Sequence, residues 1–160
     1  MNINITISYQ ALYETVSRSL SIIAKRSVDD KGVLLFKDIT LGTREQEIID
    51  DYFRQAVLDI VAAAAAFVAD NSDDSITMVL DMPENHRASL DGFIQDTCEE
   101  YCVSYALYSW LFITAPRIAP RYIEDCKRQL STLIRLLHEK EPPELNTDIM
   151  STTTTVTPNT

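Results

Sequence analysis

Hydrophobic positions change their spacing several times along the chain, and each change marks an element. Residues 2–7, NINITI, alternate polar and apolar, which puts Ile3, Ile5 and Ile7 on one face of a half-buried strand. Ser8 then caps a helix. As far as Arg26, Leu12, Val16, Leu20 and Ile23 recur at three- and four-residue steps and form one apolar stripe opposite a serine-rich face. A charged turn from Val28 to Lys31 ends at Gly32, and Val33-Leu34-Leu35-Phe36 reads as a short candidate strand.

Thr43-Arg44-Glu45-Gln46 fits a capping box, the Thr hydroxyl bonding the amide of Gln46 while that side chain reaches back, so a helix is predicted to start there. Its periodic pattern runs through Ile49, Tyr52, Phe53, Ala56, Ile60, Ala64 and Phe67 to Asp70, a rod of about 42 Å. The alanines at 62–66 leave room for a neighbouring helix to approach closely. A turn-forming cluster, Asp70 to Ser75, stops it. Ile76, Met78, Leu80 and Met82 then alternate with Thr77, Val79 and Asp81, the clearest strand signal in the chain.

Pro83 ends that strand, and Asn85 caps a long helix reaching Thr114. Its first half is amphipathic, with Leu90, Ile94 and Cys98 opposite Asp91, Asp96 and Glu99; its second half, Tyr101 to Ile113, is apolar nearly all round. Pro116 breaks it, and Pro120 sits in the first turn of a last helix carrying Ile123, Cys126, Leu130, Leu133 and Leu137, with Glu124 and Arg128 predicted to pair across one turn. Residues 141–160 lack a periodic apolar face and read as an extended or disordered tail. The sum is a mainly α, α-rich α+β fold over residues 1–140. We expect a four-helix bundle-like domain with a two- or three-stranded sheet made of 2–7, 76–82 and the candidate strand 33–37.

Composition narrows this picture. At 160 residues and 46% hydrophobic, the chain can bury one core and not two. Cys98, Cys102 and Cys126 are odd in number and lie within helical patterns, as expected of reduced, buried thiols made in a cytoplasm. No basic-then-apolar leader opens the sequence, and its longest uncharged stretch, Tyr101 to Pro116, is too short and too polar to span a bilayer, so no membrane role is expected. The net charge of −10 is concentrated in residues 41–100, which hold fourteen acidic and three basic side chains. That balance disfavours nucleic-acid binding, which draws its affinity from phosphate neutralisation.

The candidate chemistry is sparse. Asp70, Ser72, Asp74 and Asp81 have a calcium-loop spacing, yet Ser75 stands where the loop requires glycine and Asp81 where it requires glutamate. Cys98, Cys102, Cys126 and His138 could supply soft zinc ligands but lack the tight loop spacing of such sites. His86 and His138 fall at helix ends without a positioned nucleophile, and pairs such as Glu47/Asp51 and Glu99/Glu100 are what an acidic helical face produces by chance. Gly32, Gly42 and Gly92 are isolated, so no phosphate loop exists. We therefore expect no enzymatic activity, no metal and no cofactor.

Residues 105–137, YALYSWLFITAPRIAPRYIEDCKRQLSTLIRLL, an apolar helix, a proline-marked break and a closing amphipathic helix, resemble the C-terminal half of the small head–tail connector (adaptor) proteins of tailed bacteriophages. The likeness spans residues 86–140 and lies in pattern rather than in a diagnostic motif; it carries no site residues. It implies a virion structural protein assembled in the host cytoplasm. Its subunits would form a homo-oligomeric ring, often a dodecamer, beneath the portal, with the portal and tail proteins as partners and no enzymatic activity. A cytoplasmic homodimeric adaptor or small regulatory protein is the alternative. The charge layout is compatible with head-to-tail contact, since Arg117 to Leu137 carries five basic and two acidic residues. The residues expected at an interface are Ile3, Ile5 and Ile7 on an edge strand, the aromatic patch Tyr108, Trp110 and Phe112, and the basic Arg117, Arg121 and Arg128.

Overall fold

The computed structural model describes residues 1–33, 39–71 and 77–142. All of the candidate strand at 33–37 but Val33, the calcium-like loop positions Ser72 and Asp74, and the tail from residue 143 lie outside the described residues. The fold is α-rich α+β. Four helices, α1 (Tyr9–Arg26), α2 (Gln46–Ala63), α3 (Asp91–Thr114) and α4 (Ala119–His138), accompany a three-stranded antiparallel sheet of β1 (Asn2–Thr6), β2 (Val68–Asn71) and β3 (Thr77–Asp81) in the order β1-β3-β2.

Alternation in β1 and β3 does what their sequences dictate. Ile3 pairs with Leu80 and Ile5 with Met78, and these four side chains are buried together while Asn2, Asn4 and Thr6 face out. Met82 extends the ladder by donating its N–H to the carbonyl of Met1 at 2.8 Å. At the start of α1 the Ser8 hydroxyl accepts from the Ala11 amide at 3.4 Å, and Leu12, Val16, Leu20 and Ala24 carry its stripe into the core.

The second helix differs from its expectation at both ends. Gly42, not Thr43, is the capped position: the Glu45 carboxylate accepts the Gly42 N–H at 2.8 Å, and a 3₁₀ turn over Thr43–Glu45 leads into α2. Rather than running to Asp70, α2 ends at Ala63, the chain turns through Ala64 to Phe67, and Val68–Asn71 becomes the third strand. That strand pairs with β3, Val68 opposite Leu80 and Asp70 opposite Val79, with an irregularity between them.

Helix α3 is the axis of the molecule. It packs on the other three helices and on β1, and it buries Ile94, Cys98, Tyr101, Cys102, Ala106, Leu107 and Leu111. Asn85 does not cap it; a 3₁₀ turn, Ala88–Leu90, leads in instead. Asn85 sits in the preceding turn, where its carbonyl accepts from the Glu141 amide at 2.9 Å, and Arg87 pairs with Glu139 at 3.3 Å. The end of α4 is thereby tied back to the start of α3. Helix α4 begins at Ala119 with Pro120 in its first turn, as its sequence predicts. Its expected Glu124–Arg128 pair is replaced by two shorter-spaced ones, Lys127 to Glu124 at 2.9 Å and Arg128 to Asp125 at 2.8 Å.

Candidate interaction surface

The thiols and imidazoles singled out as candidate chemistry are buried in the core or engaged with neighbouring side chains. Cys98, Cys102 and Cys126 are buried free thiols, and burial pushes all three above their ordinary range, Cys98 and Cys126 to about 12, with Glu99 and Asp125 respectively adding to the effect. Such thiols stay protonated and unreactive near neutral pH. His138 lies edge-on to Phe67, with ring centres 5.1 Å apart. The imidazole of His86 is buried with Nε2 2.7 Å from Asp91 Oδ1. Among the described residues, no group of three or more His, Cys, Asp or Glu side chains is placed to hold a metal ion. No helix among them is long and apolar enough to cross a membrane.

The nine residues expected at an interface divide into three groups. Ile3, Ile5 and Ile7 point into the core, because the strand has a single apolar face and the helices cover it; their side chains cannot meet a partner. The polar side chains of Asn2, Asn4 and Thr6 and the backbone edge of β1 face outward, and at Thr6 the Gln95 side chain occupies that edge, donating to the Thr6 carbonyl at 2.6 Å and accepting from its N–H at 3.0 Å.

The aromatic patch is graded. Trp110 is half-buried against the core, and its indole N–H donates to the carbonyl of Ile39 at 2.8 Å, so it anchors the segment entering α2. Tyr108 is also half-buried and its ring neighbours Phe112 at 5.9 Å. Phe112 is 60% exposed and Ile113 69%. The exposed apolar area of α3 therefore lies at its two ends, Phe93 in the first turn, 62% exposed, and Phe112 with Ile113 in the last.

Of the basic residues, Arg128 is held by Asp125, whereas Arg117 and Arg121 meet Arg26 around a cleft of about 630 Å³. Its apolar floor comes from Ile23, Leu107 and Ile118. Arg54, Arg87, Arg128 and Arg135 each have a carboxylate partner, but Arg26, Arg117 and Arg121 have none among the described residues. The first-turn amides of α4 add to this positive field, since Ile118 at the helix start provides no side-chain cap.

A second cleft, of about 350 Å³, follows on the same face. Asp96, Glu99 and Glu100 line it, with Thr15, Val103 and Gln129. Gln129 is 8% exposed and its Oε1 is buried without a hydrogen-bond partner. Both clefts lie between α1 and α4 with α3 beneath, one acidic and one basic. Sequence reasoning found Arg117 and Arg121 but missed Arg26, Asp96, Glu100 and Gln129 as members of this surface. Comparison with protein-family models, curated proteins and solved structures gave no match.

Proposed function

We propose that the chain is a structural assembly protein that works by protein–protein contact, a ring subunit of the head–tail connector kind in a tailed-phage virion, without catalytic activity. The observation that carries this reading is the surface between α1 and α4: three arginines without carboxylate partners among the described residues, collected from distant parts of a chain with net charge −10. Unpaired, same-sign charges gathered over an apolar floor repel one another in the isolated subunit. A complementary surface relieves that repulsion and sets orientation. Phe112 and Ile113, exposed at the end of α3 just before Arg117, add the apolar area that gives such contacts their affinity.

A two-fold homodimeric adaptor is the second reading, and one observation favours it. The acidic and basic clefts lie in line on a single face, an arrangement that complements itself when two copies meet end for end.

Native mass spectrometry of the purified chain, alone and with a portal protein encoded beside it, tests the first reading. Closed rings that form on the portal support it. A dimer unchanged by concentration and indifferent to the portal overturns it in favour of the adaptor, and a monomer under every condition overturns both.

A further inference from the structure

The order of charge along the seam between α1 and α4 specifies a partner. On α1 the lining residues advance from Thr15 at the acidic end to Ser19, Ile22 and Arg26 at the basic end, a single stripe at three- and four-residue steps. Helix α3 runs the same way, from Asp96, Glu100 and Val103 to Leu107, and α4 runs oppositely, from Arg121 and Tyr122 to Gln129. The two clefts thus share one groove, with centres offset by about seven residues of α-helix, or about 10 Å.

We propose that this groove is a self-recognition surface that pairs two copies of the chain about a two-fold axis, Arg117 and Arg121 of each entering the other's acidic cleft at Asp96, Glu100 and Gln129. The inference rests on the second, two-fold reading of the chain rather than on the ring, and it goes further by naming the contact.

Three features support the assignment. First, charge complementarity: Asp96 and Glu100, like Arg117 and Arg121, have no ion-pair partner among the described residues, so none of these residues neutralises either end. Second, geometry: two patches of opposite sign side by side on one face both find their complements when a second copy is turned end for end, so every favourable contact is made twice. Third, Gln129: a buried amide oxygen without a donor costs stability in the lone subunit, and it lies among carboxylates that a guanidinium would enter. Arginine suits that position, because its planar fork can bridge a carboxylate and an amide oxygen at once while its stem covers the apolar wall.

Sedimentation equilibrium on the full chain, with charge reversal, provides the test. The wild type is expected to form a dimer that dissociates more readily as salt rises from about 0.05 M to about 0.5 M. Arg117→Glu with Arg121→Glu should weaken pairing by at least about a hundredfold, as should Asp96→Arg with Glu100→Arg, since like charges then meet at both clefts. Mixed in equal amounts, the two reversed proteins should form a heterodimer, and a chain carrying all four reversals should pair with itself. This rescue separates a contact from a folding defect. Gln129→Leu should weaken pairing about tenfold while leaving the thermal midpoint of the monomer unchanged or higher. If the wild type pairs and the reversed proteins pair equally well, the seam is not the contact although self-association stands. If the wild type is monomeric alone yet forms rings on a portal, the seam falls and the connector reading survives. If it is monomeric throughout, both fall.

Discussion

The carboxamide of Gln95 takes the place of a neighbouring strand for Thr6, accepting from its N–H at 3.0 Å and donating to its carbonyl at 2.6 Å. Gln95 is held in turn by Glu99, which accepts from the same Nε2 at 2.6 Å. Helix α3 thereby closes one end of the open edge of β1 and fixes the strand against it. An uncovered strand edge invites pairing with other chains. Gln95→Ala should lower unfolding free energy by about 1–2 kcal/mol and speed hydrogen exchange at the Thr6 amide. Unchanged exchange there would show that the clamp does not secure the strand.

How much of this was legible in the sequence depended on whether a residue's partner was local. The alternation of Ile3, Ile5 and Ile7, the Ser8 cap and Pro120 report on their own neighbourhoods, and the structure has each where the pattern places it. Strand β2 was hidden: Ala64 and Phe67 continue the helical period of α2, and four residues, Val68–Asn71, are too few to announce alternation. Their pairing with β3 overrides the helical propensity of the alanines. The basic cleft was half legible, since Arg117 and Arg121 are near in sequence but Arg26 joins them only through packing. Gln129 did leave a signal, a polar residue three positions after Cys126 and four before Leu133 on an otherwise apolar stripe.

The thiols set a limit at alkaline pH. Burial raises Cys98 and Cys126 from 9.0 to about 12 and raises Cys102 and the Tyr101 hydroxyl, which donates to Asp59 at 2.9 Å, in the same direction. A folded-state value above the unfolded one means that the fold favours the protonated form. That contribution is complete below about pH 9 and is lost as pH climbs towards the folded values. Denaturation midpoints should therefore hold steady, as far as these groups decide them, from pH 7 to about 9 and fall above. At pH 8 an aromatic disulfide reagent should modify none of the three cysteines until denaturant is added; prompt reaction of any one would contradict its burial.

Asp50 is a stability cost at neutral pH. One of its carboxylate oxygens is buried without a partner, and burial raises its pKa, with Arg54 opposing and Asp51 and Glu47 reinforcing the rise. The sign follows: this carboxyl favours the fold when protonated, and the benefit is lost as pH rises through its folded value. Asp50→Asn should gain up to about 1 kcal/mol at pH 7, the gain shrinking to nothing as pH falls below about 4. Urea denaturation of both proteins at the two pH values measures the difference.

Trp110 and Phe112 lie two residues apart on α3 and are expected to separate stability from assembly. The Trp110 indole holds the carbonyl of Ile39, a fully buried residue, at 2.8 Å. Trp110→Phe keeps most of the apolar contact but removes the donor, and should cost about 1–2 kcal/mol whether or not a partner is present. Phe112 is mostly exposed, so Phe112→Ser should change monomer stability by less than about 0.5 kcal/mol. If the end of α3 contributes to assembly, the same substitution should weaken self-association or portal binding by tenfold or more, about 1.4 kcal/mol. Denaturant unfolding and sedimentation of the two variants decide it. Were Phe112→Ser to assemble like the wild type, the Phe112 ring would have no part in the contact, and the charges between α1 and α4 would carry more of its affinity.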